Sequence, residues 1–417
     1  MKILGVNTSH ESSFCLLEDG QITKFAEEDR ARRQKYWSME ERGYHSFVSL
    51  QTNMHLFEDL DYIIFSSFDR RNAFSADEKN GEYIIDPVKG GLTTWQEAEQ
   101  FMNMWNAKQL SRDHYEHLCK VFPGTLKEIN WEDTLYPYMD EELNRRVVNA
   151  HFPNIDEGKV IFHPPSHHVY HVLSGYHFSP WNGSEEAIGI AWDGGGAKTY
   201  HEQWPDYQEV ETIWKLIPGA NPVPQWKRMS NSRALASLAI NGFPHLGHEE
   251  YPRTMCISQS KEIHTGIEDG VEVVFDSKTS NGMNFSELCV ANGFDDLGRN
   301  SGKVMGWAAY GRRWNEDEEY DTGSINSYNL AEITHYMQRE SFDDAVEIIQ
   351  RAIDLNPDCK NIVLSGGFSL NCTNNYKYLK KFPEHKFFVD PAANDSGTSI
   401  GAALFCYNDY INSVRSK

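Results

Sequence analysis

The chain opens on one pattern and then repeats it. Residues 3–7, 12–17 and 21–27 read as three successive strands, and Asp19-Gly20 is the residue pair of a tight hairpin between the last two. A related series starts at Ala187-Ile188-Gly189-Ile190-Ala191-Trp192-Asp193: a strand, a glycine turn, then strands at 199–203 and 209–216. Two such openings in 417 residues predict a duplicated α/β lobe with a cleft between the copies. Residues 1–180 form the first lobe and 181–417 the second. A helical insertion is expected in the first lobe, at 95–118 and 140–150, and a loop-rich one in the second, at 204–285. There Pro222, Pro224, Gly242, Pro244 and Gly247 interrupt short apolar runs, which predicts loops and short helices. The clearer remaining signals are a strand at 160–163 leading into a helix at 166–176, and a long helix at 329–353. Strands follow at 361–364 and 386–389, and a helix of small residues at 399–407.

Composition narrows the class. No apolar run approaches the ~20 residues that span a bilayer, and residues 1–6 start as a strand rather than as a signal peptide. The seven cysteines are scattered and form no CxxC, as in a reducing interior. The expectation is a soluble, cytoplasmic protein without a membrane partner. A formal net charge of -22 repels phosphate backbones as a whole. Two local basic stretches stand against it: Arg30, Arg32, Arg33 and Lys35, and Lys377, Lys380, Lys381 and Lys386. The second reads as solvated surface.

Three distant stretches carry the chemistry. On a helix, His167 and His171 share a face while His168 points elsewhere. Together with Asp395, in Asn394-Asp395-Ser396-Gly397, they make the two-histidine, one-carboxylate set of a metal held with open positions. Such a histidine pair also occurs without a metal. Leu364-Ser365-Gly366-Gly367 runs from a strand into a helix, where backbone N–H groups can meet a phosphate. Asp193-Gly194-Gly195-Gly196 offers a second phosphate turn with an Asp for a cation or its water, or else an ordinary glycine hairpin. Lys303, in Ser301-Gly302-Lys303-Val304-Met305-Gly306, is a phosphate or carbamoyl contact, or a surface lysine ahead of a packed helix. His245, His248 and His264 read as loop histidines.

Taken in order, these motifs resemble the O-carbamoyltransferase family of nodulation and antibiotic carbamoyltransferases, whose main domain is related to the tRNA threonylcarbamoyl-transfer ATPases. The matching stretches are Gly5 to Ser13 around His10 and Glu11, Ala26 to Arg30 with Arg33 and Lys35, and His167 to His171. They continue through Asp193 to Gly196, Gly302 to Gly306, Gly366 to Cys372 with Asn375, and Pro391 to Gly397. The resemblance implies an actin-like ATPase fold of two RNase H-like lobes. It implies an activity in which a carbamoyl group, activated from carbamoyl phosphate and ATP as carbamoyl-adenylate, passes to an alcohol. His167, His171 and Asp395 match the metal ligands, with iron the ion expected ahead of zinc, manganese or magnesium. His10 and Lys35 match residues at the carbamoyl end, and Gly366, Gly367, Asn371 and Asn375 match the nucleotide side. His10 is then the base for the incoming hydroxyl; the other reading is a turn histidine capping the loop between two strands.

Antibiotic-type members carry an adenylate-forming domain after the small-residue helix, whereas about a dozen residues follow Phe405 here. The expectation is therefore that a separate protein supplies the adenylate or that these lobes use ATP and carbamoyl phosphate themselves. The acceptor stays open between a sugar or other small metabolite and a hydroxymethylated pyrimidine, as nucleotide or in DNA. Two alternatives remain: a tRNA threonylcarbamoyl transferase, and a nucleotide-binding lobe without turnover. Oligomeric state is not legible.

Overall fold

Alternation along each central strand decides the layers. In β1 (Lys2–Asn7), Ile3 belongs to one core cluster, while Leu4 and Val6 belong to another on the opposite face. β2 (Ser13–Glu18) and β3 (Gln21–Glu27) extend the sheet antiparallel through a turn in which Asp19 and Gly20 have φ of 49° and 82°, the left-handed pair of a two-residue hairpin. β4 (Tyr62–Phe65) joins β1 in parallel. A separate two-stranded ladder pairs β5 (Glu82–Tyr83) with β6 (Leu110–Ser111). β7 (Val160–Ile161) closes the first sheet, whose order is β3-β2-β1-β4-β7. The computed structural model describes residues 1–9, 11–33, 35, 47–66, 82–83, 110–111, 144, 147–149, 151–162, 166–196, 208–230, 262–268, 270–276, 280–291, 300–311 and 330–415.

The second sheet repeats the plan. β8 (Ala187–Trp192) is flanked on one side by antiparallel β9 (Gln208–Leu216) and β10 (Val223–Ser230). β11 (Glu262–Glu268) and β12 (Val271–Asp276) extend that edge. On the other side lie parallel β13 (Asn361–Ser365) and β14 (Lys386–Val389). Thus β3-β2-β1-β4-β7 and β10-β9-β8-β13-β14 have one order and one set of directions. This is the duplicated RNase H-like lobe of the actin-like ATPase fold.

Two helices lie between the sheets. α1 (Glu28–Arg32) and α2 (Val48–Thr52) belong to the first lobe, with Leu50 of α2 in the cluster formed by Leu4 and Val6. α3 (His167–Phe178) packs on β8, β9 and β13. α4 (Asn281–Ala291), α5 (Ser301–Trp307), α6 (Leu330–Leu355) and α7 (Cys372–Lys381) belong to the second lobe, where Ile188, Ile190 and Trp192 of β8 meet Phe285, Ile349 and Tyr378. α8 (Thr398–Arg415) packs on β1, β2 and α3. Ile3, Val169, Val172, Ala191, Val363 and Ile400 make one cluster, so the two lobes share a core through α3 and α8. Close approach requires glycine there. A Cβ on Gly401 would stand 1.9 Å from the Tyr170 carbonyl oxygen, and one on Gly5 would stand 2.0 Å from that of Ser399.

The strand expected at 209–216 is β9, whereas the rest of 204–285, expected as loops and short helices, contains β10, β11 and β12 among its described residues. The proline that argued against strands sits where β10 tolerates it, at a register shift between Pro224 and Trp226. Leu110 and Ser111, expected as helix, are strand. The rest of 95–118 and the strand expected at 199–203 lie outside the described residues, while Asn144 and 147–149 are helical.

Candidate functional site

Ser166 starts α3. Its hydroxyl accepts the His168 N–H at 3.2 Å and donates to Glu209 Oε2 at 2.7 Å. The first helical residue, His167, and the residue one turn on, His171, then face the seam between the lobes, both buried. Their Nε2 atoms are 3.1 Å apart. Asp395, in the short turn before α8, brings Oδ1 to 3.6 Å and 3.5 Å from the two Nε2 atoms. Asp193, just past the end of β8, brings Oδ2 to 3.7 Å and 3.9 Å from the same atoms. One ligand atom from each of the four residues lies within 4.8 Å of the others, and all four residues are buried.

This set fits a metal ion. Bonds of about 2.1 Å in a tetrahedral arrangement separate ligand atoms by roughly 3.4 Å, and the five measured separations run from 3.1 to 3.9 Å. The His167 Nδ1 lies 3.1 Å from the Ser66 carbonyl oxygen, to which it donates. That bond fixes the tautomer and leaves the Nε2 lone pair for the centre. Burial opposes a charge on His167, but Asp395, Asp193 and the Ser66 bond together raise its pKa above the ordinary value. The start of the first lobe holds Asp395. Its backbone carbonyl accepts from Asn7 Nδ2 at 3.0 Å, its backbone N–H donates to Glu11 Oε2 at 3.3 Å, and Ser9 Oγ donates to Oδ2 at 3.4 Å.

His168 faces away from this group. Its Nδ1 is 3.0 Å from Thr212 Oγ1, and burial pushes its pKa down to about 3, so it stays neutral. Gly196 lies against this ring, 2.7 Å from Nε2 to where a Cβ would sit, and Gly195 lies closer still to the Gln208 side-chain amide. Gly194 donates its N–H to Asp193 Oδ1 at 2.7 Å. Gly366, at φ 87°, passes so near β8 that a Cβ would stand 2.1 Å from the Trp192 carbonyl oxygen, whereas among the described residues a Cβ on Gly367 would meet only Asp193 Oδ1, at 3.8 Å. The Gly366-Gly367 turn therefore lies beside Asp193.

The remaining expected residues sit elsewhere or are engaged. Asn371 caps α7 and exchanges two hydrogen bonds with Gln338, at 3.0 and 3.2 Å. Asn375 Nδ2 donates to the Ser369 carbonyl oxygen at 2.6 Å. Lys303 is exposed on α5, and Lys35 is exposed beyond α1. His10 lies outside the described residues. Sequence reasoning assigned Asp193 to a phosphate turn and missed its approach to the histidines. The signal was its position at the carboxyl end of a central strand, where α/β sheets place ligands.

Residues 2–339 and 330–404 match the family profile described as carbamoyltransferase N-terminus. The chain is similar to the uncharacterized protein sll1178 of Synechocystis sp., 38% identical over 56 residues, 13% of this chain and 9% of that protein. It is also similar to nodulation protein NolNO of Sinorhizobium fredii, 44% identical over 50 residues, 12% of this chain and 7% of that protein. These matches cover less than a tenth of either relative. Among solved structures, full-length HypF in the phosphate- and nucleotide-bound form aligns with 98% of this chain and 46% of its own, at 12% identity and a TM-score of 0.48. HypF of T. kodakarensis aligns with 99% of this chain and 48% of its own, at 14% identity and 0.49. The profile spans both lobes and every motif of the site, and the chain belongs to the carbamoyltransferase N-terminus family.

Proposed function

We propose that these lobes transfer a carbamoyl group from a phosphate-activated donor, made from carbamoyl phosphate and ATP as carbamoyl-adenylate, to a hydroxyl acceptor. The observation that carries the reading is the meeting of His167, His171, Asp193 and Asp395 at the seam, with the Gly366-Gly367 turn against Asp193. A divalent ion held by those four residues, iron first among the candidates, would supply a Lewis acid beside the donor's phosphate oxygen. Around it the chain's own groups bind and orient. The open side of Gly367 leaves room for a phosphate, and Ser9 and Asn7 hold the Asp395 loop. His10 takes the acceptor's proton and Lys35 contacts the carbamoyl end, roles that come from the family resemblance, and Lys303, read from its glycine-flanked run, is a phosphate or carbamoyl contact.

A small alcohol is the acceptor we favour over DNA. The net charge is -22. Of the basic stretch that kept DNA in play, Arg30 and Arg32 are ion-paired with Glu27 and Glu28 at 2.8 and 2.7 Å. The chain spans under half the length of the HypF chains it aligns with, so the source of the adenylate is part of the test. Incubation with ATP, labelled carbamoyl phosphate and a panel of alcohols should give labelled carbamate ester. Hydroxymethylated duplex serves as the competing acceptor. No ester with any acceptor, even when synthetic carbamoyl-adenylate is supplied, would sink the proposal.

A further inference from the structure

The turn that carries Asp193 is gripped from behind by one hydroxyl. Ser280 immediately precedes α4; its Oγ accepts the Met283 N–H at 3.0 Å and donates its proton to the Gly194 carbonyl oxygen at 3.1 Å. Gly282 packs so closely that a Cβ there would stand 3.0 Å from Gly194 N and 3.3 Å from the Asp193 carbonyl carbon. On its own side of that peptide, Asp193 accepts the Gly194 N–H through Oδ1 and leaves Oδ2 toward His167 and His171. Ser280 thus holds the carbonyl of the following peptide, Gly194–Gly195, while Gly282 packs on the Asp193–Gly194 peptide itself. Loss of the Ser280 bond would free Gly194 to turn, and a turn passed back to the Asp193–Gly194 peptide would carry the carboxylate away from the histidines.

The start of α4 is itself fixed by a buried knot. Asn281 N–H donates to Glu211 Oε1 at 3.2 Å, and Asn281 Nδ2 donates to Asp344 Oδ2 at 2.6 Å. Arg228 joins both carboxylates, through Nε to Glu211 at 2.7 Å and through Nη1 and Nη2 to Asp344 at 2.8 Å each. Arg228, Glu211, Asp344 and Asn281 are all buried and come from β10, β9, α6 and α4. A buried ionic group of this kind is a weak source of net stability, because apolar residues of the same volume often do as well. Its geometric result is definite: it sets where Ser280 stands.

We propose that Ser280 is a positioning residue for Asp193, and that the Arg228–Glu211–Asp344–Asn281 knot holds Ser280 in place for that role. The proposal rests on the reading of Asp193 as a contributor to the metal group. A double-mutant cycle on Mn2+ affinity, followed by the EPR signal of the free aqueous ion, tests both separately. Ser280→Ala should weaken Mn2+ binding by about 10-fold, the lower end for removing an outer partner of a metal ligand, and Ser280→Thr should restore it. In an Asp193→Asn background, Ser280→Ala should add almost nothing. If Ser280→Ala loses its fold, Ser280→Gly removes the hydroxyl while keeping a tolerated helix cap. Equal losses from Ser280→Ala in both backgrounds would overturn the positioning role and leave the metal group intact. Unchanged Mn2+ affinity in Asp193→Asn alone would remove Asp193 from the metal group, and the positioning role with it. No Mn2+ binding by the wild-type chain would overturn the metal reading itself.

Discussion

His167 Nε2 and His171 Nε2 stand 3.1 Å apart with their rings at 87°, and no hydrogen bond to His171 Nδ1 exists among the described residues. Two imidazole nitrogens this close, inside a ring of two carboxylates, need a proton or a cation between them. The cation reading makes a direct prediction. His167→Ala and Asp395→Ala should each lose bound metal, read by elemental analysis of the purified chain, with circular dichroism unchanged. Full metal content in either variant would mean that the four residues form a hydrogen-bonded cluster only.

The two glycines of the Gly366-Gly367 turn should respond differently. Gly366→Ala places a Cβ against the Trp192 carbonyl at a φ of 87°. It should lower stability by about 2 kcal/mol or more. Among the described residues Gly367→Val meets only Asp193 Oδ1, so its thermal midpoint should stay near wild type while nucleotide affinity collapses. Calorimetric titration with ATP beside a melting curve separates the two. An unaltered ATP affinity in Gly367→Val would put the nucleotide elsewhere.

The helix seam offers a test of the shared core. Gly401→Ala drives a methyl group into the Tyr170 carbonyl, 1.9 Å away. α8 must then shift off α3, at a cost of about 1–3 kcal/mol. Urea unfolding should give a lower midpoint, and metal affinity should fall as well because Asp395 leads into α8. A stability loss without any change in metal affinity would show the seam to be independent of the site.

Two buried carboxylates should respond to pH in opposite senses. Burial raises the Asp390 pKa, against hydrogen bonds from the Ala392 N–H, Ser365 and Ser174. Its folded form holds a proton that the unfolded form has lost, so stability from this group is present at low pH and declines as pH rises through the folded pKa. Burial also opposes charge on Glu209, but the Lys227 ammonium and the Ser166 hydroxyl prevail and lower its pKa. Its stability is present above the unfolded carboxylate range and is lost on acidification through the folded pKa. Chemical unfolding across acid pH should therefore show a flatter acid-side loss in Glu209→Gln and a steeper one in Asp390→Asn. The same profile in both variants would contradict the assignment.

Carbamoyl-adenylate supplied directly should separate activation from transfer. If His10 and Lys303 act on the carbamoyl group, His10→Ala and Lys303→Ala should fail to transfer from the synthetic adenylate, as read by labelled product. Normal rates from the adenylate would make both residues structural.

The strand periods of the first opening, β8 and β9 of the second, the Asp19-Gly20 hairpin and the four-residue histidine spacing were legible because each is fixed by neighbours within a few residues. The long helix expected at 329–353 appears as Leu330–Leu355 for the same reason, an apolar stripe repeating at helical period. Of the strands inside 204–285, β9 was legible at 209–216, but β10, β11 and β12 were not. Their prolines and glycines read as breakers, and only pairing across the sheet, with a register shift at Pro224, makes them ladder positions. Asp193 belongs to the same class of fact. Its sequence neighbours are three glycines, which speak of a phosphate. Its place near His167 depends on β8 ending at the same level as the first turn of α3, and on α8 lying across that helix at Gly401. Local chemistry selected the residue types. Which of them meet was decided by close packing of two sheets around two helices, a set of contacts whose partners lie far apart in the chain and leave no mark on any single stretch of sequence.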